Sequence, residues 1–152
     1  MSNETRTSLR DWRIVIVDDD AANLEIVNTL FHRHGAATYT ATNGINGFDK
    51  VKTIHPHFVI TDLLMPLMDG WGLVDKLKDD PSTAMIPVIA LTAYGMPGRR
   101  EHAISAGFHY YLTKPINSLT FVQELLLILS DVPVLSEKAT RATSEIKKVQ
   151  TD

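Results

Sequence analysis

Phe58-Val59-Ile60-Thr61-Asp62-Leu63-Leu64-Met65-Pro66-Leu67-Met68-Asp69-Gly70 is the stretch whose reading decides the fold. Its first four residues are aromatic or β-branched and too few for a helix, so they read as a buried strand. Asp62 ends the run. A charge directly after a buried strand has left the sheet and stands in the crevice beyond it. Met65-Pro66 and Asp69-Gly70 mark a turn-rich loop, because Pro fixes φ and Gly supplies positive φ. The segment therefore delivers one carboxylate to a loop-lined pocket.

The same pattern recurs on both sides. Upstream, residues 13–17 (RIVIV) form a continuous β-branched run that ends in Asp18, Asp19 and Asp20. Residues 21–33 then carry Leu24, Val27, Leu30 and Phe31 at helical spacing, with Asp20 placed to cap the helix and Gly35 to end it. Residues 37–41 alternate like a strand, and 44–54 read as a helix with Ile45, Phe48 and Val51 inward. Downstream, 71–77 is helical with Leu73, Val74 and Leu77 inward, and 87–91 (PVIAL) is a strand ending at Thr92. A short, weakly apolar helix is expected over 99–106, closed by Gly107, and a fifth strand over 109–112 leads to Lys114-Pro115. Asn117 is expected to cap a last helix over 118–129, with Leu119, Val122, Leu125, Leu126 and Leu129 inward. Phe121 and Ile128 fall at the edge of that stripe and Leu127 on its polar side.

Five strands alternating with five helices predict an α/β domain with a doubly wound, five-stranded parallel sheet covered on both faces. Residues 1–11 read as a polar lead-in, 12–131 as the domain, and 132–152 as a polar tail. In that tail Ala139, Ala142, Ile146 and Val149 make a thin helical stripe. Such a domain is long enough to fold on its own core, without metal or disulfide. Net charge is −3, which gives no electrostatic footprint for nucleic acid or an anionic membrane. The absence of cysteine removes thiol catalysis and Cys-type zinc sites, and suits a cytoplasmic setting. The first residues have no apolar core of a signal peptide, and no apolar run approaches the ~20 residues needed to span a bilayer.

Sheets of this kind bind ligands beyond the carboxyl ends of their strands. Asp18, Asp19, Asp62, Thr92 and Lys114 all fall there. Two carboxylates about 4 Å apart repel by about 4 kcal/mol at an effective dielectric of about 20. Three crowded together take up protons or hold a cation, and an oxygen-only ligand set suits Mg²⁺, with Mn²⁺ as the alternative. A carboxylate flanked by that cation and Lys114 is placed to attack phosphorus. Thr92 can donate a hydrogen bond to the product.

At this point the chain resembles the receiver domains of two-component response regulators, over residues 13–130. The pieces that carry the resemblance are IVDDD (16–20), TDLLMPLMDG (61–70), PVIALTAY (87–94) and YLTKP (111–115), in order. The resemblance implies a doubly wound (βα)5 flavodoxin-like sandwich with strand order 2-1-3-4-5, in which Asp62 accepts a phosphoryl group from a phosphohistidine on a sensor histidine kinase or histidine phosphotransfer protein. It implies a metal held by Asp19, Asp62 and the backbone carbonyl of Leu64, with Asp18 acting through water. Thr92, Ala93 and Lys114 would contact the phosphoryl group, Tyr111 would pack inward as Thr92 moves, and Lys114-Pro115 would be cis. Leu64 and Tyr94 occupy positions that govern water access to the acyl phosphate, and here they are expected to slow its hydrolysis. The switched surface would lie around the fourth helix, fifth strand and fifth helix, controlling a downstream protein, passing the phosphoryl group on, or pairing two copies of the chain.

The competing readings differ at named residues. An aspartyl-phosphate phosphohydrolase wants a second Asp where Leu64 stands. A flavin or nucleotide carrier wants a Gly- or Ser/Thr-rich loop where Asp18, Asp19 and Asp20 stand. The runner-up is a pseudo-receiver, a docking module that no longer takes phosphate. It would be expected to have lost one of the acids, Thr92 or Lys114. His32 and His34 are two apart on a helix and so on nearly opposite faces, and His55 and His57 straddle a proline in a break, so neither pair reads as a metal site.

Overall fold

The uninterrupted apolar runs become the middle of a parallel sheet. In this computed structural model, which describes residues 9–93 and 99–151, the strands are β1 (Arg13–Val17), β2 (Ala37–Ala41), β3 (Phe58–Thr61), β4 (Val88–Thr92) and β5 (Tyr110–Thr113). Their order is β2-β1-β3-β4-β5, as the resemblance implies. Alternation along each strand splits the core in two. Ile14, Ile16, Phe58, Ile60, Ile89 and Leu91 face one layer, while Val15, Val17, Val59, Val88 and Ala90 face the other. The first layer is closed by α1 (Ala21–Arg33) and α5 (Phe121–Leu129). The second is closed by α2 (Gly44–Ile54), α3 (Gly70–Asp79) and α4 (Arg99–Ala106).

Register aligns the strand ends that matter. Val17 lies opposite Thr61, and Thr92 opposite Thr113. The ladder then runs one step further: the Asp62 N–H donates to the Val17 carbonyl at 2.9 Å and the Lys114 N–H to the Thr92 carbonyl at 2.8 Å. Asp18 and Asp62 are thereby set on adjacent strand ends.

The helix starts follow local capping chemistry. Asp20 Oδ1 accepts from the N–H groups of Ala22 and Asn23, Asn43 Oδ1 from Asn46, and Asp69 Oδ1 from Gly72. Gly35 and Gly107 adopt positive φ, at 92° and 115°, after α1 and α4.

Two expected helix faces are corrected. In α2, Val51 is buried and Phe48 partly so, but Ile45 is 44% exposed. The helix approaches the sheet through Gly47 instead, where a Cβ would stand 2.9 Å from Val17 Cγ2. That close approach turns Ile45 outward. The last helix begins at Phe121, not at residue 118, because Asn117 caps a turn ahead of it. The Asn117 carbonyl accepts from the N–H groups of Thr120 and Phe121, and its Oδ1 accepts from Leu119. Leu119 therefore sits on the turn at 87% exposure instead of inside, and Phe121 is buried rather than at the edge.

Both chain ends contribute to the core. Leu9 in the lead-in and Trp12 just after it are buried, and the Leu9 N–H donates to the His34 carbonyl. The tail forms α6 (Ser136–Thr151), whose stripe buries Ala139, Ala142 and Ile146 together with Leu135. These residues join the cluster that holds Leu9, Trp12, Leu125 and Leu129.

Candidate functional site

Each acidic residue is placed by its strand end. Asp18 is buried, Asp62 half-buried and Asp19 exposed, and one oxygen from each lies within 4.8 Å of the others. Lys114, delivered by β5, reaches across to this group. Its Nζ is 3.1 Å from Asp18 Oδ2 and 3.1 Å from Asp62 Oδ2. The other Asp62 oxygen accepts from the Leu63 N–H at 2.6 Å.

Burial works to lower the Lys114 pKa, but its hydrogen bonds and charge pairing with Asp18 and Asp62 outweigh that, and the net shift is upward. The ammonium is thus held charged. Asp18 moves the other way from an ordinary carboxylate in an ion pair. Burial raises its pKa more than the Asp20 N–H, Lys114 and Asn23 lower it. The pair is asymmetric because Asp18 is the more deeply desolvated partner.

The remaining sequence-predicted residues surround this cluster. Thr92 is fully buried at the end of β4, and Ala93 follows it, exposed. Tyr111 points into the second core layer and is 4% exposed. Its hydroxyl has no hydrogen-bond partner among the described residues, and burial pushes its pKa up. The Lys114-Pro115 bond is cis. Leu64, two residues after Asp62, is 48% exposed. Tyr94 lies outside the described residues. In the same loop Leu67 takes φ 70° while fully solvated at 81% exposure, a left-handed conformation that L side chains rarely adopt.

The histidine pairs stay apart from this chemistry. His57 Nδ1 accepts from the Arg13 N–H, and His55 closes α2 at φ 51°. Among the described residues, the acid triad is the one cluster with metal-ligating spacing. One participant escaped the sequence reading: Asn23 Nδ2 donates to Asp18 Oδ2 at 2.6 Å. The available signal was the helix start at residue 21, which puts residue 23 in the first turn, above the strand end.

Comparison with known proteins agrees with this arrangement. The model of the response regulator receiver domain family matches residues 14–126. The polar-differentiation response regulator DivK of Brucella is 30% identical over 118 residues, covering 78% of this chain and 96% of DivK. The signal receiver domain of a signal transduction histidine kinase from Syntrophus aciditrophicus superposes with a TM-score of 0.70 at 29% identity, over 78% of this chain and 90% of that one. The CheY-like receiver domain protein of Methanospirillum hungatei shares the fold, with a TM-score of 0.72 at 24% identity over 80% of this chain and 96% of its own. With the sheet order, the strand-end acids and the lysine already in place, the chain belongs to the response regulator receiver domain family.

Proposed function

We propose that the chain is a response regulator receiver that accepts a phosphoryl group on Asp62 from a phosphohistidine, on a sensor histidine kinase or a histidine phosphotransfer protein. The observation that carries this reading is the Asp62 carboxylate itself, set 3.1 Å from the Lys114 ammonium and beside two further acids. A carboxylate oxygen of Asp62 forms the new O–P bond. The N–P bond of the donor breaks, and its electron pair returns to the imidazole. Lys114 stays charged and neutralises the transferring oxygens. The Thr92 hydroxyl and the Ala93 N–H, at the end of β4, would donate to the phosphoryl group, and Tyr111 would pack inward as Thr92 moves.

The donor set fits a divalent cation, Mg²⁺ or Mn²⁺: three carboxylates and no nitrogen or sulfur. Asp19, Asp62 and the Leu64 backbone carbonyl would hold it, with Asp18 acting through water. Bound there, it would supply charge neutralisation for phosphoryl transfer.

Signal leaves through α4, β5 and α5, toward a downstream protein or a second copy of the chain. Moving a two-state equilibrium from 1:99 to 99:1 takes about 5.5 kcal/mol. Two or three hydrogen bonds to a charged group, at about 1.5–3 kcal/mol each, supply it. The chain's own chemistry is limited to gaining and losing its phosphate, in the cytoplasm where such donors are met. Among the described residues no helix is long and apolar enough to cross a membrane.

Intact mass after incubation with acetyl phosphate and Mg²⁺ tests this. One added phosphoryl group is expected on the wild type and none on Asp62→Asn or with EDTA. No uptake by the wild type, from acetyl phosphate or from a phosphohistidine donor, would favour the docking-module reading. Timing phosphate loss on the same material tests the shielding role of Leu64: Leu64→Asn is expected to lose phosphate faster, and an unchanged lifetime removes that role.

A further inference from the structure

Asp18 is the most buried of the three acids, and its carboxylate is held, apart from Lys114, by two donors at the start of α1. Its Oδ1 accepts from the Asp20 N–H at 2.9 Å, and its Oδ2 from Asn23 Nδ2 at 2.6 Å. Oδ2 is also the atom that Lys114 approaches. Lys114 is thus shared at equal distance, 3.1 Å, between Asp18 Oδ2 and Asp62 Oδ2. Two donors converge on one oxygen, and one of them is neutral.

We propose that Asn23 is a positioning residue for the acid cluster: its side-chain amide anchors Asp18, so that Asp18 neither swings toward Lys114 nor draws Lys114 away from Asp62. The inference rests on the phosphoacceptor reading above. A carboxylate held by one flexible cation alone follows that cation. Given a second, fixed donor from a helix, it stays in place. The anchor is itself anchored, since the Asn23 N–H donates to the capping Asp20 Oδ1 at 3.2 Å. Asp20 therefore ties the helix start together twice, by its backbone to Asp18 and by its side chain to Ala22 and Asn23. Outer partners of this kind typically change metal affinity by tenfold or more when removed.

The alternative is that Asn23 merely belongs to the first turn of a helix. The two roles predict different results for Asn23→Ala. Alanine is the best helix former, so a purely local role predicts equal or greater stability and no change at the site. The positioning role predicts an unchanged fold with a Kd for Mg²⁺ raised about tenfold, read by calorimetric titration of the full-length chain. Uptake of phosphate from acetyl phosphate should slow at limiting Mg²⁺ and recover largely when Mg²⁺ is saturating. Asn23→Gln, which keeps the amide donor, should restore most of the affinity.

Wild-type affinity in Asn23→Ala, with the wild type itself binding Mg²⁺ and taking phosphate, would overturn the positioning role and leave the phosphoacceptor reading intact. Failure of Asn23→Gln to rescue would overturn it too, because the amide would then not be the active group. A wild-type chain that binds no Mg²⁺ and takes no phosphate would overturn both.

Discussion

His57 shows how one residue outside the site can set the pH range of the whole molecule. It lies just before β3, and its Nδ1 accepts from the N–H of Arg13, which opens β1, at 2.9 Å. Its own N–H donates to the Arg13 carbonyl at 2.8 Å. Burial, joined by the charges of Arg13 and Lys138 and opposed by Asp11, lowers its pKa from 6.5 to about 4. The unfolded chain therefore binds more protons than the folded one between those values. Stability from this residue is full above about 6.5 and is lost as pH falls toward about 4. Urea midpoints at pH 7.5 and pH 5 should fall further apart for the wild type than for His57→Asn, whose side-chain oxygen can accept the same bond without titrating. Parallel losses in the two proteins would show that His57 does not contribute. Sequence alone read His55-Pro56-His57 as a break and as no metal site. It could not see the partner, because Arg13 is 44 residues away and neighbours β3 only through strand pairing.

The elements divide by what kind of signal specifies them. β1, β3 and β4 were legible because they are buried on both faces and read as unbroken apolar runs, and their polar ends could be counted off directly. The acids and Thr92 were found this way, and Lys114 by its place after β5, a strand only partly buried. Helix faces were less legible, since periodicity tracks apolar residues and ignores glycine. At α2 the closest approach runs through Gly47, and at α5 a capped turn absorbs Leu119. Gly70 is the position where such a contact bears on the site. A Cβ there would meet the carbonyl oxygen of Asp62 and stand 2.9 Å from Leu63 Cα, both of them backbone atoms that cannot swing aside. Gly70→Ala should cost about 1–3 kcal/mol of stability and slow phosphoryl uptake, because relief of the clash must move the turn that carries Asp62. Gly72→Ala is the control. Its Cβ would first meet the flexible Met68 side chain at 3.0 Å, and alanine gains helix propensity, so stability and uptake should stay near wild type. Equal behaviour of the two variants in urea unfolding and mass-detected uptake would refute the argument.

At the scale of the molecule, the segments just before β1 and after α5 pack together, toward the end of β1 away from Asp18. α6 lies beyond residue 126, where the match to the family ends. It is nevertheless part of the core: Leu135, Ala139, Ala142 and Ile146 recur every three or four residues and are all buried. The two alanines let the helix approach closely, and Lys138 Nζ sits 5.5 Å from the centre of the Trp12 ring. Lead-in and tail therefore hold each other against α5. Burying a Leu or Ile side chain contributes about 1.5–3 kcal/mol, and ordering the helix opposes this. A chain ending at Asp131 should accordingly lose about 2–4 kcal/mol in urea unfolding. It should also tend to self-associate, as Trp12 and the uncovered side of α5 meet water. Among the described residues, the side-chain hydrogen bonds and ion pairs of Asp18, Asp62 and Lys114 run to one another, to Leu63 and to the start of α1, so phosphoryl uptake per folded molecule should persist at the wild-type rate. A truncated chain of wild-type stability would mean that the buried stripe contributes no more than its ordering costs. A stable truncated chain that no longer takes phosphate would instead mean that α6 reaches the site through α5 and β5, and that the two ends of the sheet are coupled.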